Sequence, residues 1–211
     1  MLRRARHLAG MTGLDELTRG LARALARIGL PAPSGLERLS GGANMESWRF
    51  SAGDAVGVLR RAPSLDMMAG RPLDHAGEVQ VVRAARAAGV MAPEVLVELD
   101  DSDGIGAGFI MRAIPGTPDP AVILGFDNPQ DLIADIGREM AATHRAEVSG
   151  LADLPVMETV EAIAQMRERY MSYGGDRPIL SLALRWLEAN VPPAVPPRLV
   201  HGDFRMGNLL I

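Results

Sequence analysis

Leu199-Val-His-Gly-Asp-Phe-Arg-Met-Gly-Asn-Leu-Leu-Ile211 runs from an apolar segment through a polar loop into a second apolar segment, and it reads as strand, loop, strand. Within it, His201, Asp203 and Asn208 stand two and five residues apart. An aspartate and an asparagine five apart on a short loop between strands can face one pocket. The competing reading is a polar turn in which the spacing is accidental.

Working outward from that loop, the preceding chain is helical. Val160 to Tyr173 and Ile179 to Ala189 read as helices split by Gly174-Gly175, with the proline-rich Val191 to Pro197 as a stiff connector. Pro129 to Ala146 carries Leu132, Ile136 and Met140 at four-residue steps, with Asp127 placed to cap it. Before the Pro115-Gly116-Thr117-Pro118 breaker the pattern changes. Leu14, Leu17, Leu21, Leu25 and Ile28 step by three or four and predict one amphipathic helix. Trp48 to Phe50, a turn at Gly53-Asp54 and the run Val56 to Leu59 predict a hairpin. Residues 76–88 predict a second helix, and Glu94 to Leu99 and Phe109 to Ile114 two further strands. Strands first and helices second imply an α+β chain in two lobes, residues 1–115 and 116–211.

The composition narrows the class. With 47% hydrophobic and 23% charged residues in 211, the chain has the makings of a folded core. There is no cysteine, which removes disulfides, thiolate metal sites and thiol nucleophiles and makes the cytoplasm the expected compartment. The net charge of −4 argues against a nucleic-acid partner, and no stretch is apolar for long enough to span a membrane. Met1 to His7 lacks the apolar run of a signal peptide, and Met11 is an alternative start. All 22 basic residues are arginine, so no lysine amine is available for catalysis.

His201, Asp203 and Asn208 fit the H-x-D-x-x-x-x-N spacing of a kinase catalytic loop, in which the aspartate holds the attacking hydroxyl and the asparagine reaches a magnesium ion. Other segments extend this likeness: Leu39-Ser-Gly-Gly-Ala-Asn44, Val58-Leu-Arg-Arg61, Gly89-Val-Met-Ala-Pro93, Gly108-Phe-Ile-Met111, Ile114-Pro-Gly116 and Val200 to Asn208. Together, in this order, they make the chain resemble the aminoglycoside phosphotransferase family, the small-molecule branch of the protein-kinase-like fold. Within it the chain is most similar to phosphotransferase domains joined to acyl-CoA dehydrogenases.

The resemblance implies an antiparallel nucleotide-binding lobe, a mainly helical second lobe, ATP and Mg2+ as cofactors, and a small-molecule hydroxyl as acceptor. By it, Ser40, Gly41, Gly42, Ala43 and Asn44 form the nucleotide loop, although an ordinary hairpin turn would look the same. Arg60 falls where such kinases place a lysine on the α- and β-phosphates, with Glu78 as its partner. Arg61 is the rival for that role, and a solvated strand arginine is the plain alternative. The exchange of lysine for arginine is not conservative. Met111 would lie at the back of the adenine pocket, and the backbone of Arg112 and Ile114 would bond the adenine edge. Asp203 would be the catalytic carboxylate, His201 a bracing residue and Asn208 a magnesium ligand.

One departure stands out. In the family a D-x-D or D-W-E segment follows the catalytic loop and supplies the principal metal ligand, whereas this sequence ends at Ile211. The expectation is a truncated product with little or no phosphotransfer of its own, and self-association through uncovered surface. The alternative from another class is a non-catalytic nucleotide-binding or interaction module.

Three further features carry less. Asp100-Asp-Ser-Asp-Gly104 invites a calcium-loop reading, but Ile105 and Arg112 stand where that loop needs oxygen ligands, so a solvated hairpin turn is expected. His144 reads as a packed or capping histidine. Met166, Tyr170, Met171, Trp186 and Leu187 read as packing surface.

Overall fold

A computed structural model describes residues 2–39, 45–63, 71–151 and 154–211, with side chains from residue 13 onward. The chain falls into two compact units, residues 1–153 with 199–211, and residues 154–198.

The first unit is built on a five-stranded antiparallel sheet. Helix α1 (Leu2–Ala26) leads into β1 (Ser34–Leu39), β2 (Glu46–Ala52) and β3 (Ala55–Ala62); α2 (His75–Ala87), β4 (Val95–Glu98) and β5 (Ala107–Arg112) follow. The strand order is β1-β2-β3-β5-β4. The expected hairpin is β2–β3, with Trp48 opposite Leu59 and Phe50 opposite Gly57. Strand β1 was not expected as a separate element. It is an edge strand whose residues are nearly all exposed, so it carries no apolar alternation to read.

Alternation across the pleat sends Leu59 and its partner Ile110 to one face, where they are buried with Leu17, Leu21, Leu25 and Phe50. Thus the predicted leucine stripe of α1 covers that face. Arg60 and Val58 point the other way, with Phe109 and Met111 opposite them, and α2 contacts β4 and β5.

The turn between β4 and β5 departs from expectation. Asp101–Asp103 is a 3-10 turn with a reciprocal capping box on Asp100, and Asp103 is fully buried rather than solvated. Arg27 bonds its carboxylate, and one turn earlier on α1 Arg23 bonds the Ser102 and Asp103 carbonyls. A Cβ on Gly20 would stand 2.5 Å from the Asp103 carbonyl oxygen, so the helix can approach this turn closely only with glycine there.

Past the sheet come α3 (Pro120–Leu124), unforeseen from the sequence, and α4 (Pro129–His144). Asn128, not Asp127, caps α4, its side chain accepting from Asp131 N–H. The tail shows a second correction. Residues 199–200 and 209–211 form no strand, and the turn between them is a 3-10 turn, Met206–Asn208. Ile211 nonetheless pairs with Thr117 in both directions, N–H to O at 3.1 and 3.3 Å.

The second unit pairs α5 (Thr159–Ser172) with α6 (Pro178–Ala189). Tyr170 bridges them, its hydroxyl accepting from Arg177 N–H and lying 2.9 Å from Ser181 Oγ. The expected packing surface is largely exposed here, including Met166, Met171 and Trp186. Among the described residues no helix is long and apolar enough to cross a membrane.

Candidate functional site

The tail loop is held by its own residues. Leu199 is buried and anchors the entry, and Gly202 takes φ +76°, a conformation that side-chain-bearing residues avoid. That turn lets Asp203 N–H donate to His201 Nδ1 at 3.3 Å, while the His201 ring stands edge-on to Phe204 with centroids 5.5 Å apart. His201 therefore braces the loop. Asn208 reaches back across the 3-10 turn and donates from Nδ2 to the Asp203 carboxylate and to its backbone carbonyl, each at 2.8 Å. Arg205 Nε lies 3.1 Å from both carboxylate oxygens. The Asn208 amide and the Arg205 guanidinium together hold the Asp203 carboxyl below the usual aspartate range, so it is ionised at neutral pH. The structure thus brings Asp203 and Asn208 together on an exposed surface. Arg205, not singled out from the sequence, sits on the same carboxylate, and only its position inside the motif could have flagged it.

Behind the loop lies a cavity of about 170 Å³ lined by Met140, Thr143 and His144 of α4 and by Val200, His201, Gly202 and Phe204. His144 ends α4 and is exposed at this cavity rather than packed in a core.

On the sheet, the two candidate arginines separate cleanly. Arg61 gives Nε and Nη2 to Glu46 at 3.0 and 2.7 Å and Nη1 to the Ile105 carbonyl at 2.9 Å, so its donors are spent on the fold. Burial pushes the Glu46 carboxyl up, but the bonds from Arg61 and Trp48 outweigh it and leave a net downward shift. Arg60, on the opposite face, gives only Nε, to Glu78 Oε1 at 2.9 Å, and its two terminal amino groups donate to no described residue. Glu78 is carried on the first turn of α2, which Asp74 caps by accepting from Gly77 N–H at 2.7 Å. The Arg60–Glu78 pairing expected from the resemblance is therefore formed.

Met111 is half-buried on β5 opposite Val58, on the same face as Arg60. The Arg112 N–H is taken by the Glu94 carbonyl at 2.8 Å and its guanidinium by the Glu94 carboxylate at 2.9 Å, so any adenine contact from Arg112 falls to its carbonyl. Ile114 N–H donates to no described residue. Residues 40–44, the expected nucleotide loop, lie outside the described residues. The Thr117–Ile211 pairing joins the two halves: Ile114 and Asn208 are each three residues from that junction, a reach of at most about 10 Å apiece.

For a hard cation the donor set is oxygen-based and sparse. Among the described residues no three His, Cys, Asp or Glu side chains gather into a metal cluster. Among the described residues Asn208 bonds only through its Nδ2, leaving Oδ1 as an available ligand atom next to an ionised carboxylate. That fits magnesium, provided that water and phosphate oxygens complete its six positions.

A solved Ralstonia eutropha protein described as an aminoglycoside phosphotransferase is 20% identical, with a TM-score of 0.68 over 92% of this chain and 60% of that one. A Thermobifida fusca protein described as a fructosamine-3-kinase is 16% identical, with a TM-score of 0.51 over 87% of this chain and 66% of that one. A thermostable mutant of the aminoglycoside phosphotransferase APH(4)-Ia, solved with ADP and hygromycin B, is 18% identical, with a TM-score of 0.50 over 78% and 56%. At these identities the likeness is one of fold, and this chain spans about three fifths of the length of the Ralstonia protein. No curated protein matches. The sequence profile of the phosphotransferase enzyme family matches residues 35–211, from β1 through the Asp203–Asn208 loop, and the chain belongs to that family.

Proposed function

We propose that this chain carries the nucleotide-binding and catalytic-loop residues of an ATP-dependent phosphotransferase that acts on a hydroxyl of a small molecule. The observation that carries this reading is the Asn208 amide bonded to an ionised Asp203 carboxylate on an exposed loop of a family member. The related protein solved with ADP and hygromycin B supports a nucleotide and a small acceptor as ligands. In this reading residues 1–115 form the nucleotide lobe and residues 116–211 belong to the second lobe.

Asp203 accepts the hydrogen bond of the acceptor hydroxyl and aims its oxygen at the γ-phosphorus. As the new O–P bond forms, the bridging bond to the β-phosphate breaks and the hydroxyl proton passes to the Asp203 carboxylate. Asn208 and, after it, Arg205 keep that carboxylate ionised and weakly basic, which suits a loose transition state in which the proton leaves late. Asn208 Oδ1 would help hold magnesium, which supplies charge neutralisation on the phosphates. Arg60 holds phosphate oxygens with the two amino groups it does not give to Glu78.

Transfer of labelled γ-phosphoryl to a panel of aminoglycoside, choline-like, sugar and hydroxyacyl acceptors tests this. Asp203→Asn is expected to lower transfer by at least about 100-fold with ATP affinity little changed. Undiminished transfer by that variant would set these roles aside, and ATP binding with no transfer to any hydroxyl would favour the non-catalytic nucleotide-binding module instead.

A further inference from the structure

Glu78 serves two arginines. Arg60 Nε lies 2.9 Å from one carboxylate oxygen, and Arg71 Nη2 lies 3.7 Å from the other. The second separation is an ion pair but too long for a hydrogen bond, and Glu78 Oε2 is buried without a hydrogen-bond partner among the described residues. Among the described residues Arg71 donates a hydrogen bond to none, and Arg60 donates only through Nε. Two guanidinium groups, with side chains 29% and 25% exposed, thus share one carboxylate and carry a net charge of +1 with most of their donors unspent.

His75, one turn before Glu78 on α2, does not change that balance. It is 8% exposed, and both of its ring nitrogens are buried without partners among the described residues. Burial holds it neutral against the pull of Glu78, while Arg71 and Arg60 push the same way as burial and Asp74 pulls weakly toward charge. The cluster therefore has surplus positive charge in a half-buried setting, and unpaired polar atoms beside it, which is costly unless an anion arrives.

We propose that Arg71 is a second phosphate-binding residue of the nucleotide site, anchored on Glu78 beside Arg60 so that two guanidinium forks span adjacent phosphates of a nucleoside di- or triphosphate. The inference rests on the nucleotide-binding reading above and adds a residue that the kinase-like resemblance does not assign. Planar forks can each take two oxygens, so a pair of them favours a polyphosphate over a single phosphate.

Calorimetric titration of the chain with ATP, ADP, AMP and inorganic tripolyphosphate tests it, using the wild type, Arg60→Gln, Arg71→Gln and Arg71→Lys. Arg71→Gln is expected to weaken ATP and tripolyphosphate about tenfold, the loss of one charge-assisted fork, and AMP by less than twofold. Arg71→Lys, which keeps the charge and guards against misfolding of the first variant, should recover only part of the loss. If Arg60→Gln weakens ATP while both Arg71 variants bind within twofold of wild type, Arg71 is a structural counter-ion and the proposal falls alone. If the wild type binds neither nucleotide nor tripolyphosphate, the site reading falls and takes the proposal with it.

Discussion

Thr117 and Ile211 exchange a pair of backbone hydrogen bonds, at 3.1 and 3.3 Å, that fasten the exit of the Asp203–Asn208 loop to the segment leaving β5. The junction depends on Gly116, whose φ of +128° is open to glycine and whose Cβ would stand 3.0 Å from the Ile211 carbonyl oxygen. Gly116→Val is expected to cost about 1–3 kcal/mol and to weaken ATP binding along with it. Urea denaturation with and without ATP measures both; an unchanged midpoint would show that the junction contributes nothing to the fold.

The Asp203 carboxyl is held down by Asn208 first and Arg205 second. Asn208→Ala should therefore raise its midpoint toward the ordinary aspartate value of about 3.9, read by carboxyl-carbon NMR titration. The sign follows from linkage: a carboxyl lowered by folding stabilises the fold above its unfolded pKa and loses that contribution as pH falls through the folded value. A midpoint that does not move would mean that the amide bond is not formed in solution.

His75 acts in the same direction at higher pH. Burial lowers its pKa below the ordinary histidine value of about 6.5, so the unfolded chain binds the proton more readily than the folded one. Its contribution is complete above about pH 6.5 and is lost as pH falls from there toward the folded value. Thermal midpoints should drop between pH 7.5 and pH 5.5 in the wild type and drop less in His75→Leu. Parallel curves for the two proteins would contradict the assignment.

Arg27 and the buried Asp103 are 76 residues apart in sequence and joined in the fold. Among the described residues, Arg27→Ala leaves the buried carboxylate with only the Asp100 N–H, at 2.9 Å, to answer it. A destabilisation of about 2 kcal/mol is expected, discounted from the figure for a fully buried pair because the Arg27 side chain is 32% exposed. Guanidinium denaturation provides the measurement, and a change below about 0.5 kcal/mol would mark the pair as incidental.

The elements best read from sequence are those whose own residues carry a period. Leu17, Leu21 and Leu25 announce α1, and Trp48 to Leu59 announce the β2–β3 hairpin, because each stripe faces a core within the same element pair. Strand β1 has no such stripe, being an exposed edge held by backbone bonds to β2. The Asp100–Gly104 segment reads as solvated because nothing local says that Arg27 will arrive from α1. Leu209 to Ile211 is apolar enough to suggest a strand but, among the described residues, pairs across only with Thr117. In the site, Asp203 and Asn208 were legible because both chemistry and spacing lie in one loop. Arg60 with Glu78 needed the family resemblance, and Arg71 and His75 became visible only when α2 was packed on the sheet.

In the proposed mechanism Asp203 and Asn208 handle the terminal phosphoryl group of a magnesium-bound nucleotide. Its most direct measurement is the calorimetric affinity for ATP with and without magnesium, in the wild type and in Asn208→Ala. Magnesium is expected to tighten ATP binding to the wild type, and this gain is expected to be largely lost in the variant, while magnesium-free affinity is unchanged. An equal gain in both proteins would contradict it.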